Sequence, residues 1–128
     1  MFSHQVIGSN DMTGSKKFYD AVFGAIGGGP GEVDPKGRLV YAHNGGRFLI
    51  TTPINGQPAT PANGGTIGFV MESPSQADAW HAAGVANGGT SCEDPPGIRT
   101  MPNGKQLYLA YLRDPDGNKL CGSYRFPD

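Results

Sequence analysis

The chain has 128 residues, a formal net charge of −1 and 37% apolar residues, enough length and apolar content for one core. The near-neutral charge without a basic block argues against a nucleic-acid partner, and no run approaches the roughly 18 apolar residues of a membrane span. Cys92 and Cys121 lack any zinc-finger spacing and predict free thiols, and the opening residues carry no leader pattern, so a soluble, cytoplasmic protein is expected.

The first half begins with a strand over residues 2–9. Asn10 or Asp11 then caps a helix with Ser15, Phe18, Tyr19 and Val22 on one face, spaced i, i+3, i+4, i+7, and Gly24 is placed as the residue that ends it. After Gly27-Gly28-Gly29-Pro30-Gly31, strands are predicted over 38–44 and 47–52, with Gly45-Gly46 as a two-residue hairpin turn. The glycine triplet is not a phosphate loop, because no Lys-Ser/Thr ending follows it.

A Pro/Gly/Asn-rich linker occupies residues 53–65. A strand over 66–71 follows, and Ser73-Pro74-Ser75-Gln76 matches a capping box that opens a helix with Ala77, Trp80 and Gly84 on one face. That helix stops near Asn87-Gly88-Gly89. A weak strand at 90–93, a loop, and strands at 106–113 and 119–126 complete the chain. The last two are joined by Asp114-Pro115-Asp116-Gly117-Asn118, where Pro115 presets φ and Gly117 supplies φ > 0. The order β-α-β-β-β thus occurs twice, offset by about sixty residues: one module over 1–53, a second over 65–128, within one domain. Neither module can bury its sheet alone, so the two must pack together.

Four stretches, in this order and spacing, resemble the vicinal oxygen chelate superfamily of glyoxalase I, extradiol dioxygenases, and fosfomycin- and bleomycin-resistance proteins. They are Phe2-Ser3-His4-Gln5-Val6, Asn10-Asp11-Met12, Phe18-Tyr19 through Gly24, and Asp114-Pro115-Asp116-Gly117-Asn118-Lys119-Leu120. The resemblance covers nearly the whole chain. It implies an α+β fold in which two βαβββ modules form a curved mixed sheet, with a concave ligand cup and the helices outside. Metal-dependent members place a His, Glu or Gln on each of four strands, and the metal polarises two neighbouring substrate oxygens. Carried onto this chain, those places fall on His4, on Leu49 or Ile50, on Thr66 and on Cys121. Only His4 is a usual ligand. Leu and Ile cannot coordinate and a neutral Thr hydroxyl is a poor donor; Cys121 as a thiolate would suit zinc or a soft ion, but one imidazole and one thiol without a carboxylate make a weak site, so no metal and no cofactor are expected.

The resemblance therefore points to a glyoxalase/bleomycin-resistance-like protein that binds or turns over a small molecule in the cup. The alternative is a metal-dependent glyoxalase-type lyase or dioxygenase. The ligand-binding candidates are His4, Thr66, Cys121, Ile50 and Arg99. His4 with Cys121 is the candidate catalytic pair, because the superfamily geometry brings their strands to one focus and an imidazole can lower a thiol pKa. The competing readings make His4 a polar residue lining the cup and Cys121 a small, half-apolar core residue. Arg99 and Lys105 lie in a loop-rich stretch over 97–106, and could meet a ligand carboxylate if that loop covers the cup. His43 is in phase with Leu39 and Tyr41 and could face the cup. His81 is placed on a solvated helix flank, and Glu93 and Asp94 at a charged strand end. Family members of this size usually pair, and open strand edges invite pairing, so a two-fold homodimer is expected.

Overall fold

The computed structural model describes residues 1–128. Local signals account for both helices. The Asp11 side chain accepts the Gly14 N–H at 3.1 Å and opens α1 (Met12–Gly24), which buries Ser15, Phe18, Tyr19, Val22 and Phe23. The chain reverses later than Gly24, at Gly27, where φ is 87°. There the Gly28 N–H reaches Phe23 O at 2.8 Å and the Gly27 N–H reaches Gly24 O at 3.2 Å, the paired bonds of a Schellman close. Ser73 caps α2 (Pro74–Ala86) by accepting the Gln76 N–H at 3.0 Å, and Ala77, Trp80 and Gly84 form its buried face. The Gln76 side chain reaches back to the Glu72 N–H at 2.7 Å, one residue before the cap.

The strands are β1 (Gln5–Gly8), β2 (Glu32–Val33), β3 (Leu39–His43), β4 (Gly46–Thr51), β5 (Ile67–Val70), β6 (Thr90–Ser91), β7 (Gly97–Thr100), β8 (Gln106–Arg113) and β9 (Lys119–Arg125). They form two mixed sheets, ordered β1-β4-β3-β2 and β5-β9-β8-β6, with β7 also paired to β8. In each sheet the strand before the helix runs parallel to the last strand of its module: β1 beside β4, and β5 beside β9. The fold is the expected α+β arrangement of two helix-bearing modules. Three details differ from the sequence reading. The hairpin turn is Asn44-Gly45, with φ of 48° and 83°, the Asn-Gly pair that a type I′ turn favours, rather than Gly45-Gly46. The stretch after Pro96 is strand β7, antiparallel to β8, rather than a loop. The hydrogen bonding also divides the sheet in two.

One face of each sheet packs on the helices. Leu39, Tyr41, Phe48 and Ile50 of the first sheet join Ala110, Leu112 and Leu120 of the second in a single buried cluster with Phe18, Tyr19, Phe23 and Trp80. Phe69 on β5 links the modules: its ring meets Phe23 and Phe48 edge-on, with centroids 5.5 and 5.4 Å apart. At about 1.5–3 kcal/mol for each fully buried large apolar side chain, this shared core is what holds the modules together. A polar latch adds to it. Tyr19 donates to Asp114 at 2.6 Å, Asp116 accepts the Asn10 N–H at 2.8 Å, and the Ser15 hydroxyl donates to Asp116 at 3.2 Å. The Asp-Pro-Asp-Gly-Asn turn of module two is thereby tied to the start of α1 in module one.

Candidate functional site

β1 and β5 each end a sheet and leave one edge unpaired. Between them and the close of α1 lies a groove of about 400 Å³. Strand alternation sets its lining. β3 turns Leu39 and Tyr41 into the core, and His43, two residues further on, reaches the groove at the end of the core. On the neighbouring pair, Gln5 stands across from Phe48, which brings the preceding His4 opposite Arg47. Phe23, Ile26, Tyr41, Phe48 and Phe69 supply an aromatic and aliphatic wall. Polar groups come from His4, Thr66, His43 and Arg47 together with Ser3, Gln5 and Asn44, and no Asp or Glu lines the groove.

His4 is exposed, and its Nδ1 shares a 2.7 Å hydrogen bond with Ser3 Oγ. Nε2 is thus left to donate to or accept from a ligand, according to the ring's tautomer. Thr66 opens the β5 side of the same groove, so two of the five ligand-binding candidates meet.

The other three lie elsewhere. Ile50 is fully buried in the core cluster and does not line the groove. β4 points Phe48 and Ile50 at the helices, so Leu49 takes the opposite face. Cys121 is also outside the groove. Its neighbours Leu120 and Gly122 face the helices, Gly122 lying under Trp80, while the thiol points to the other face beside Tyr111. Burial raises the Cys121 pKa, with Tyr111 beside it opposing the rise and Glu93 adding to it. Glu93, Lys119 and Arg99 are the charged groups that act on that thiol, while His4 lines the groove from which Cys121 is absent. Within one chain the candidate His4–Cys121 pair is therefore not assembled, and the thiol is held protonated.

Arg99 sits on β7 across from Leu107, its guanidinium donating to the carbonyls of Asp94 at 3.2 Å and Pro95 at 2.9 Å. It shares the helix-free face of the second sheet with Tyr111 and Cys121. Burial, then Cys121 and Glu93, raise the Tyr111 pKa, and Arg99 partly offsets them. Lys119 lies 5.1 Å from the Tyr111 ring centroid and pairs with Glu93. Lys105 pairs with Asp128 at 3.0 Å. The His81 ring bonds Ser91 Oγ at 2.9 Å, and burial lowers its pKa.

The inherited metal places do not fit a metal ion within one chain. His4 bonds the Ser3 hydroxyl, Leu49 or Ile50 offers no donor, and nowhere do three His, Cys, Asp or Glu side chains gather. The groove residue that sequence reasoning missed is Arg47. Following a glycine pair, it reads as an ordinary strand-end charge, and only the β1–β4 register reveals its place across from His4.

Comparison with solved structures agrees with this architecture. The chain is 60% identical to a glyoxalase/bleomycin resistance protein from Albidiferax ferrireducens T118, covering 98% of this chain and 99% of that one, with a TM-score of 0.92. A lactoylglutathione lyase from Agrobacterium tumefaciens is 21% identical over 94% of this chain and 91% of its own, with a TM-score of 0.62. A glyoxalase-related enzyme from Fulvimarina pelagi is 20% identical over 98% and 88%, with a TM-score of 0.72. These two share the fold. No curated protein matched. No helix is long and apolar enough to cross a membrane. The model of the Glyoxalase/Bleomycin resistance protein/Dioxygenase superfamily matches residues 2–121, and the chain belongs to that superfamily.

Proposed function

We propose that the chain binds a small molecule in the groove between β1 and β5, without a metal ion. The observation that carries this reading is the convergence of His4 and Thr66 on one groove of about 400 Å³ with an aromatic wall. A largely apolar cavity with a few polar anchors is the usual form of a small-molecule site. The alternative, a metal-dependent lyase or dioxygenase, has less support. Isomerisation of a glyoxalase substrate requires a Lewis acid on two adjacent oxygens and a group to move the proton. No carboxylate lines the groove, and the inherited ligand places lack donors.

The functional unit in this reading is a homodimer. β1 and β5 leave edges open, and Val6 and Val70 on those strands are 40% and 84% exposed. Light scattering should give twice the chain mass, and a monomer at high micromolar concentration would remove the dimer.

A thermal-shift screen of small molecules tests the binding site on the wild type, His4→Ala and Thr66→Val. At least one ligand should raise the wild-type melting temperature and lose that effect in the variants. Equal shifts in all three proteins would place the ligand outside the groove.

A further inference from the structure

Building on that binding site, we propose that the groove selects an organic anion with a ring-sized apolar body: a carboxylate, sulfonate or phosphate ester on an aromatic or branched alkyl group. The charge pattern points there. Arg47, His4 and His43 line the groove and no acidic side chain does, although the chain as a whole carries net charge −1. Arg47 enters no salt bridge, as is also true of Lys17, Lys36, Arg99, Arg113 and Arg125, and it is the one Lys or Arg that lines the groove. Its guanidinium is an uncompensated two-pronged donor, the geometry that suits a carboxylate or phosphate.

The aromatic wall is the wrong surface for a fully polar anion. Phe69 meets Phe23 and Phe48 edge-on, and Ile26 closes that side, so the wall favours an apolar ring. The close of α1 borders the groove, and the negative end of a helix would oppose an anion. Here that opposition is reduced. The Phe23 carbonyl accepts the N–H groups of Ile26 and Gly28, and the Gly24 carbonyl accepts the Gly27 N–H. A cavity of about 400 Å³ accommodates a body of one or two rings, and Arg47, exposed and one step along β4 from Phe48, lines its rim within reach of a charged end.

Two fluorescent probes with the same ring system separate charge from shape: 8-anilinonaphthalene-1-sulfonate, an anion, and N-phenyl-1-naphthylamine, its neutral counterpart. In titrations of the wild type the sulfonate should bind at least tenfold more tightly. Arg47→Ala should weaken the sulfonate by roughly tenfold or more and the neutral probe by less than twofold, as expected for one charge-assisted contact. Arg47→Lys should retain part of the preference, and added salt should erode it. A Cβ at Gly68 meets nothing within 4 Å, so Gly68→Leu has room to start into the groove and should weaken both probes, with near-UV circular dichroism confirming a native fold. Equal binding of both probes, unchanged by Arg47→Ala but lost in Gly68→Leu, would overturn the anion preference and leave the groove as a binding site. Binding that a folded Gly68→Leu does not alter, or no binding of either probe, would overturn both.

Discussion

Tyr19→Phe removes one hydroxyl from the contact between the modules. In the wild type that hydroxyl donates to Asp114 Oδ2 at 2.6 Å, with Tyr19 fully buried and Asp114 4% exposed. Asp114 is not orphaned by the change: Oδ2 keeps the Asn118 side-chain amide at 2.9 Å, and Oδ1 keeps the N–H groups of Asp116 and Asn118 at 3.0 and 2.8 Å. The loss is therefore one hydrogen bond to a charged acceptor, about 1.5–3 kcal/mol. Asp114→Ala should cost more, roughly 3–5 kcal/mol, because it strands the Tyr19 hydroxyl and the Asn118 amide in the interior. Urea unfolding should show both losses as a lower midpoint at unchanged slope. For a chain of this size, about 2 kcal/mol corresponds to a fall in Tm of roughly 6–10 °C. In Tyr19→Phe/Asp114→Ala the two losses should fall short of additivity, since each change removes the same bond. A Tyr19→Phe midpoint within about 0.5 kcal/mol of wild type would refute the latch.

Alkaline pH should weaken the fold. Burial first, then the carboxylates of Asp114 and Asp20, raise the pKa values of Tyr19 and Tyr41 above the ordinary 10.0. A folded-state pKa above the unfolded value means the stabilisation is complete below pH 10 and is lost as pH climbs toward the folded-state pKa. Urea midpoints measured from pH 8 to about 11 should fall, and Tyr19→Phe and Tyr41→Phe should each flatten the decline; parallel curves would contradict this. The methylglyoxal–glutathione hemithioacetal should show negligible turnover even with nickel or zinc supplied, because the groove offers no carboxylate to move the proton. Robust metal-dependent turnover would restore the lyase reading.

The sequence made visible whatever local chemistry decides. Asp11 and Ser73 cap their helices because each side chain bonds a backbone N–H three residues on, an interaction independent of distant packing. The buried faces of both helices followed from their spacing for the same reason. β2 and β7 were less visible. β2 has two residues, and Gly97-Ile98-Arg99-Thr100 sits between a proline pair and an Asn-Gly turn, so only pairing with β8 makes it a strand. Ile50 shows how little separates a site residue from a core residue. Its alternative, Leu49, is one position away, and a single step along a strand reverses the face. Cys121 and His4 belong to different sheets, and the packing of those sheets, which no local pattern encodes, keeps them on different surfaces of the chain.

The placement of α1 joins these observations. Its first turns carry Ser15 and Tyr19, which are tied to the β8–β9 turn, and its end carries Phe23 and Ile26, which wall the groove. Thirteen helical residues span about 20 Å at the usual rise of about 1.5 Å each, so one continuous element carries both ends. The Asp-Pro-Asp-Gly-Asn turn therefore acts on the site at a distance: by clamping the start of α1 to module two, it sets where Phe23 meets Phe69 across the module boundary. This explains why a motif so informative about the family contributes no side chain to the groove. Its carboxylates are spent on Tyr19, Ser15, Asn10 and the turn's own N–H groups, which leaves them no part in ligand chemistry. In the proposed reading, recognition falls instead to the opposite end of the helix, where Arg47, His43 and His4 line the groove without an acidic neighbour.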